Sequence, residues 1–210
     1  MAPRIRTIGS YATQEKYSVN FFGEELTVTV TPDPSVIGQW IHDVLSNNRF
    51  SSHPLVVGVE FSGHRLVKTP ILHRLVITRI LHLVVTTILR RIHCSYALAI
   101  DVSSSSFLTV TASLDQDARK LERSRHQLEI DDLLDLRKYV EDSSGRRSMR
   151  GCSFEVIVEE CLGYRGVRLD REISMSDWSA YELCDDQILQ ASIDAHVCFK
   201  LGVKYRQWKV

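Results

Sequence analysis

Apolar and polar positions alternate along "EKYSVNFFGEELTVTV", residues 15–30, with Tyr17, Val19 and Phe21 before Gly23 and Leu26, Val28 and Val30 after it. A period of two on either side of a glycine predicts a β-hairpin. The spacing then changes. In "TPDPSVIGQWIHDVLSNN" the apolar residues Val36, Ile37, Trp40, Ile41, Val44 and Leu45 recur at helical intervals, and Asp33 followed by Pro34 opens the helix they predict. Next, Leu55, Val56, Val57 and Val59 form a run without polar alternation, which predicts a strand buried on both faces. It ends in Glu60, and a carboxylate there is costly to bury unless something binds it.

Beyond residue 114 the pattern predicts helices at 115–126, 131–142, 153–162 (stopped by Gly163) and 185–204. The last carries Ile188, Leu189, Ile193, Val197 and Leu201. "SFLTVTAS", 106–113, reads as a strand. Between them Leu72, Leu75, Val76, Ile80, Leu83, Val84 and Ile88 have roughly helical spacing and predict a helix over 71–90, although the segment is loaded with β-branched residues. Early strands, late helices and a buried strand between them predict one domain of α/β or α+β type, a sheet covered by helices.

Charge adds a second division. Lysine plus arginine and aspartate plus glutamate number 26 each, so net charge selects no polyanionic partner. The distribution is uneven: no Asp or Glu occurs from Phe61 to Ile100, where Arg65, Lys68, Arg74, Arg79, Arg90 and Arg91 all fall, and glycine is absent from His64 through Ser144. Those cations would supply phosphate contacts, or a basic amphipathic face over 66–92 lying on a membrane; a solvated face is the plainer account. The stretch "ILHLVVTTIL" is about half the roughly 20 residues a membrane span requires, so no membrane partner is expected. The five cysteines form no CxxC pair and the first 16 residues hold no apolar signal core, which predicts free thiols in the cytoplasm or nucleus. Histidines 64, 73, 82 and 93, with no acid among them, do not predict a zinc site.

The strongest chemical pattern lies in "DWSAYELCDDQILQASIDA", residues 177–195. Asp186, Gln190 and Asp194 at i, i+4 and i+8 give one helical face two carboxylates and an amide. A solvated polar face is the ordinary account, but Ala191, Ala195 and the apolar residues around Asp194 predict close packing, where a bare carboxylate is costly. His196 reads as an ordinary helix residue.

This segment resembles the third motif of the DnaQ-like 3′-to-5′ exonucleases of the DEDDy branch, nearest to the Werner-syndrome-type exonuclease domain and its small plant relatives. "LVVGVE" (55–60) and "DARKLE" (117–122) resemble the first two motifs, and the resemblance covers about 1–60 and 115–210. It implies a ribonuclease H-like mixed five-stranded sheet flanked by helices with an N-terminal β-hairpin. It also implies two Mg²⁺ or Mn²⁺ ions held by four carboxylates on a scissile phosphate, one ion generating the attacking hydroxide and the other stabilising the leaving oxygen. Carried over by position, Glu60 stands for the leading aspartate, Ser62 for the glutamate, Asp117 for the second-motif aspartate and Asp194 for the third, while Gln190 takes the place of the water-orienting tyrosine. The plainer accounts are a strand-end surface acid for Glu60 and a helix-start charge for Asp117.

The departures have consequences. Glu60 is one methylene longer than the family's bridging ligand, Ser62 supplies no charge, and Gln190 neither gives nor takes a proton; misplacements near 1 Å cost about 100-fold. Weak or lost hydrolysis at the 3′ ends of single-stranded RNA or DNA follows, or an inactive module that binds nucleic acid or an RNA-processing protein. Self-association is left open. The atypical segment 61–113 has its own explanation. Family members continue the first strand as Val-Gln-Trp-Thr-Pro, and GTT CAG TGG ACA CC read one base late gives Phe-Ser-Gly-His, residues 61–64; an Asp codon losing its last base ahead of that stretch becomes the Glu60 codon. Arg-Cys-Leu-Ile-Ile-Gln-Leu likewise shifts to Asp-Val-Ser-Ser-Ser-Ser-Phe, residues 101–107. An out-of-frame reading of a normal exonuclease core is therefore expected over about 61–113, and the transcript across 58–116 tests it.

Overall fold

In a computed structural model of the chain the described residues are 2–31, 33–47, 55–58, 75–79, 107–111, 133–135, 139–142, 144–145, 148–168, 170–178, 180 and 182–205. The hairpin appears as expected, in strands β2 (Glu15–Phe21) and β3 (Glu24–Thr31). Phe21 and Glu24 close it, with Phe22 at φ 49 and Gly23 at φ 86 between them. Positive φ at both central residues is the turn whose twist matches that of the flanking strands, and glycine accepts it without strain. Alternation puts Tyr17, Val19, Phe21, Leu26, Val28 and Val30 in the core. A third strand, β1 (Arg4–Ser10), pairs antiparallel with β2. It is mostly exposed and carries little alternation, so the apolar pattern gave no sign of it.

Thr31 ends β3: its hydroxyl donates to the Thr13 carbonyl at 2.6 Å and accepts from the Asp33 amide at 3.0 Å. Asp33 then caps helix α1 (Pro34–Asn47), accepting the Ser35 amide at 2.8 Å. Strand β4 (Leu55–Gly58) follows, then β5 (Leu75–Arg79), β6 (Phe107–Thr111) and β7 (Leu133–Asp135). Two sheets result, an antiparallel one in the order β1-β2-β3-β5 and a parallel one in the order β4-β6-β7. The architecture is mixed α/β.

Two expected helices are corrected. The segment 71–90 holds strand β5 at 75–79, where Val76, Ile77 and Thr78 are β-branched and pair with Val30, Thr29 and Val28 of β3. Of the helix expected at 131–142 Tyr139 is helical, but the start is strand β7, paired in parallel with Thr109–Thr111 of β6, and Glu141 near the end bridges to Ser148. Short apolar pairs such as Leu133-Leu134 fit either period, and the neighbouring strand decides. The helix expected at 115–126 lies outside the described residues.

The helices expected at 153–162 and 185–204 are present, and a short one between them was not anticipated. Helix α2 (Phe154–Leu162) starts at Ser153, whose side chain accepts from the Val156 amide, and stops at Gly163 in the left-handed conformation at φ 75. Short helix α3 (Arg171–Met175) leads to the long helix α4 (Asp185–Lys204), which has acids in its first turn and Lys204 in its last, matching the helix dipole. Every residue from Ala191 through Cys198 is buried, so the middle of α4 is covered all round. It packs most extensively on β4 and also reaches β5, β6, α2 and α3. Its C-terminal end is tied down: Lys204 donates to the Cys161 carbonyl, and the Tyr205 hydroxyl to the Glu141 carbonyl at 2.5 Å. The four described cysteines are free thiols. No helix among the described residues is long and apolar enough to cross a membrane.

Candidate functional site

Helix α4 carries two polar groupings on opposite sides. The first is the face anticipated from the sequence at Gln190 and Asp194, whereas Asp186, expected beside them, is exposed in the first turn and the buried Gln187 joins the face. Gln187, Gln190 and Asp194, at i, i+3 and i+7, share it, and Asp194 is buried with 6% of its surface exposed. The second grouping is built across the fold by Glu24, Tyr164, His196 and Lys200.

On the first face the amides hold chain that precedes the helix. Gln190 Oε1 accepts from the Asp170 amide at 3.0 Å, and its Nε2 donates to Ser174 Oγ at 2.7 Å. Gln187 Oε1 accepts from the Cys184 amide at 2.9 Å, closing a capping box at the helix start, while its Nε2 donates to Ser176 Oγ at 2.9 Å and to the Asp177 carbonyl at 3.2 Å. Trp178, 3% exposed, donates its indole N–H to the carbonyls of Ile173 and Ser174 at 3.1 and 3.2 Å, satisfying the end of α3. Trp178 and Gln187, two of the residues on which the family resemblance rests, therefore have a defined mechanical task in this chain. Gln190 has one too, because both ends of its amide are engaged.

Of the other expected ligands, Glu60, Ser62 and Asp117 lie outside the described residues. The helix that bears Asp194 does pack on β4, the strand whose continuation leads to residue 60. Carboxylate oxygens are the donors that Mg²⁺ and Mn²⁺ favour, and Asp194 is of that type. Among the described residues no group of three or more His, Cys, Asp or Glu side chains gathers to hold an ion. Asp194 would hold one only together with residues 60 and 117.

The second grouping is all but silent in the sequence. Glu24, at the hairpin tip, accepts on one oxygen from Lys200 Nζ at 2.7 Å and from the Tyr164 hydroxyl at 3.1 Å. Its other oxygen lies 3.4 Å from His196 Nε2. His196 is wholly buried beside the edge of the Phe21 ring, 5.8 Å between centroids. Burial drives its pKa down to about 4, with the Glu24 charge opposing and the Lys200 charge assisting, so the imidazole is neutral at pH 7. Burial also pushes the Tyr164 hydroxyl up to about 12, reinforced by Glu24. For Glu24 burial is the largest single influence and raises the pKa, but Lys200, His196 and Tyr164 together outweigh it and hold the carboxyl below its ordinary value. The only sequence hint was the i, i+4 spacing of His196 and Lys200; their acidic partner lies 176 positions from Lys200.

Aromatic contacts brace this side. Phe22 stacks on Tyr164 at 4.6 Å with the rings 20° apart, and Phe21 meets both rings edge-on. A bulky residue at positive φ costs free energy, and the stack on Tyr164 offsets it. No protein-family model, curated protein or solved structure matches the chain.

Proposed function

We propose that the chain is a nucleic-acid-binding relative of the DnaQ-like 3′-to-5′ exonucleases, built on a ribonuclease H-like sheet, with weak or lost hydrolysis at the 3′ ends of single-stranded RNA or DNA. The observation that carries this reading is Asp194, a buried carboxylate on a central helix packed against the strand that leads to Glu60. Burying a carboxylate is costly, and a divalent cation shared with Glu60 and Asp117 would stabilise its charge. Such ions supply positive charge at the scissile phosphate. The chain's own contribution is to hold Asp194 rigidly: Ala191, Ser192, Ile193, Ala195 and Val197 around it are all buried.

The test uses purified protein, 3′-labelled and 5′-labelled single-stranded RNA and DNA, and Mg²⁺ or Mn²⁺. Shortening from the 3′ end is expected, and Asp194→Ala is expected to reduce it by about 100-fold, the scale on which misplaced catalytic groups act. Equal measurable rates for the two proteins reject hydrolysis through Asp194, and no shortening by either leaves only the binding reading.

A second reading, an inactive module that binds nucleic acid or a partner of an RNA-processing assembly, is favoured by Gln190. Its amide, which stands where the family has tyrosine, is taken up by Asp170 and Ser174. This reading expects oligonucleotide binding that is indifferent to chelator and weakens steeply with salt.

A further inference from the structure

We propose that Asp170–Trp178 is a strap over the first half of the α4 face that ends in Asp194, latched by Gln187 and Gln190, and that release of the latch opens this face. The inference goes beyond the exonuclease reading and does not depend on it.

The strap is a folded unit in itself. Asp170 caps α3 by accepting the Glu172 amide at 2.8 Å, Ser174 Oγ donates to the Asp170 carbonyl at 3.0 Å, and Ser176 Oγ donates to the Ile173 carbonyl at 2.6 Å. The Trp178 indole closes it from the other end. A helix of five residues is far too short to persist by itself, so its position depends on what it is fastened to. Two glutamine side chains do the fastening, one at each end: Gln190 takes the Asp170 amide and Ser174 Oγ, and Gln187 takes Ser176 Oγ and the Asp177 carbonyl.

The two ends are unequal. Trp178 sits in the core, whereas Asp170, Arg171, Glu172 and Met175 are exposed, Met175 by 54%. The Trp178 end is the pivot and the Asp170 end swings. Elements held by a few side-chain hydrogen bonds belong to the low-stability end of a protein's local openings, where lids are found.

Hydrogen exchange read by mass spectrometry on the full chain tests the latch. Gln190→Ala removes both contacts at the swinging end and is expected to speed exchange over 170–175 about tenfold, the effect of losing hydrogen bonds of ordinary strength. Trypsin cleavage after Arg171 is expected to quicken in parallel, with exchange in 191–198 unchanged. If Gln190→Ala does not fold, Ser174→Ala removes one latch contact together with the strap's own bond to the Asp170 carbonyl, and is expected to give a several-fold increase over the same residues. Unchanged exchange in 170–175, or an acceleration spread equally over 191–198, overturns the proposal.

Discussion

Helix α4 buries polar groups on two sides by different chemistry. His196 stands about 200° around the helix from Asp194, two residues at about 100° each. On its side, charges meet: Glu24 gathers Lys200, Tyr164 and His196, and aromatic rings seal the cluster. On the Asp194 side the described contacts are amide to hydroxyl and amide to backbone, and none of the groups in the Gln187 and Gln190 bonds titrates. The hairpin side is therefore held by packing and is sensitive to acid. The latch on the strap side is held by directional bonds between groups that do not titrate.

The largest effect expected from this difference comes from Phe21→Ala. Phe21 is fully buried and touches Phe22, Tyr164 and His196, so its loss is expected to cost about 3–5 kcal/mol in urea unfolding while leaving the strap's hydrogen exchange in place. A comparable rise in exchange over 170–178 would break the comparison, because the two sides would then form one cooperative unit.

Acid comes next. His196 has an ordinary pKa of 6.5 and one of about 4 in the fold, so the unfolded chain binds a proton between those values that the folded chain refuses. The associated stability is fully present above about pH 6.5 and is lost as pH falls toward 4, by roughly 3 kcal/mol in all. Glu24, held below its ordinary value, adds a loss of the same sign at the acid end. Urea unfolding from pH 7 to pH 4.5 in the presence of chelator measures the slope, and His196→Leu is expected to flatten it. A slope unchanged in that variant would move the acid sensitivity away from this cluster.

The smallest effect sharpens the contrast within the hairpin side. Phe22→Asn places a residue suited to positive φ in the turn but loses the stack on Tyr164, two effects of similar size and opposite sign. A net change within about 0.5 kcal/mol in the unfolding midpoint is expected. A loss beyond about 1 kcal/mol would show that the ring, rather than the turn, fixes the hairpin tip to the chain after α2.

Periodicity was a good guide where an element has one clear neighbour. The β2–β3 hairpin, α2 with its Gly163 stop and the full span of α4 all follow from apolar spacing and caps. It misled at 75–79 and 133–135, where side-chain spacing fits a helix but pairing with β3 and β6 selects a strand. The candidate site was legible in the same partial way. That Gln190 and Asp194 share a face follows from their spacing, yet the partners of Gln190 are backbone and hydroxyl groups 20 and 16 residues away, and no local pattern announces them. The Glu24 cluster is more distant still. A carboxylate at a hairpin tip and a histidine in a helix each have an ordinary explanation until the fold brings them together.

The link between Glu24 and Lys200 has a temporal side. A growing chain that has left the ribosome only as far as Cys184 carries the hairpin but not the helix that covers it, so Val19, Phe21, Leu26 and Val28 stay wet or in the care of a chaperone. Any lesion that ends translation before residue 185 leaves that apolar sheet face permanently uncovered, and an exposed face of that kind associates with others. Quality control of this protein would then turn on whether the segment 185–204 has been made, far from the strands whose fate it decides.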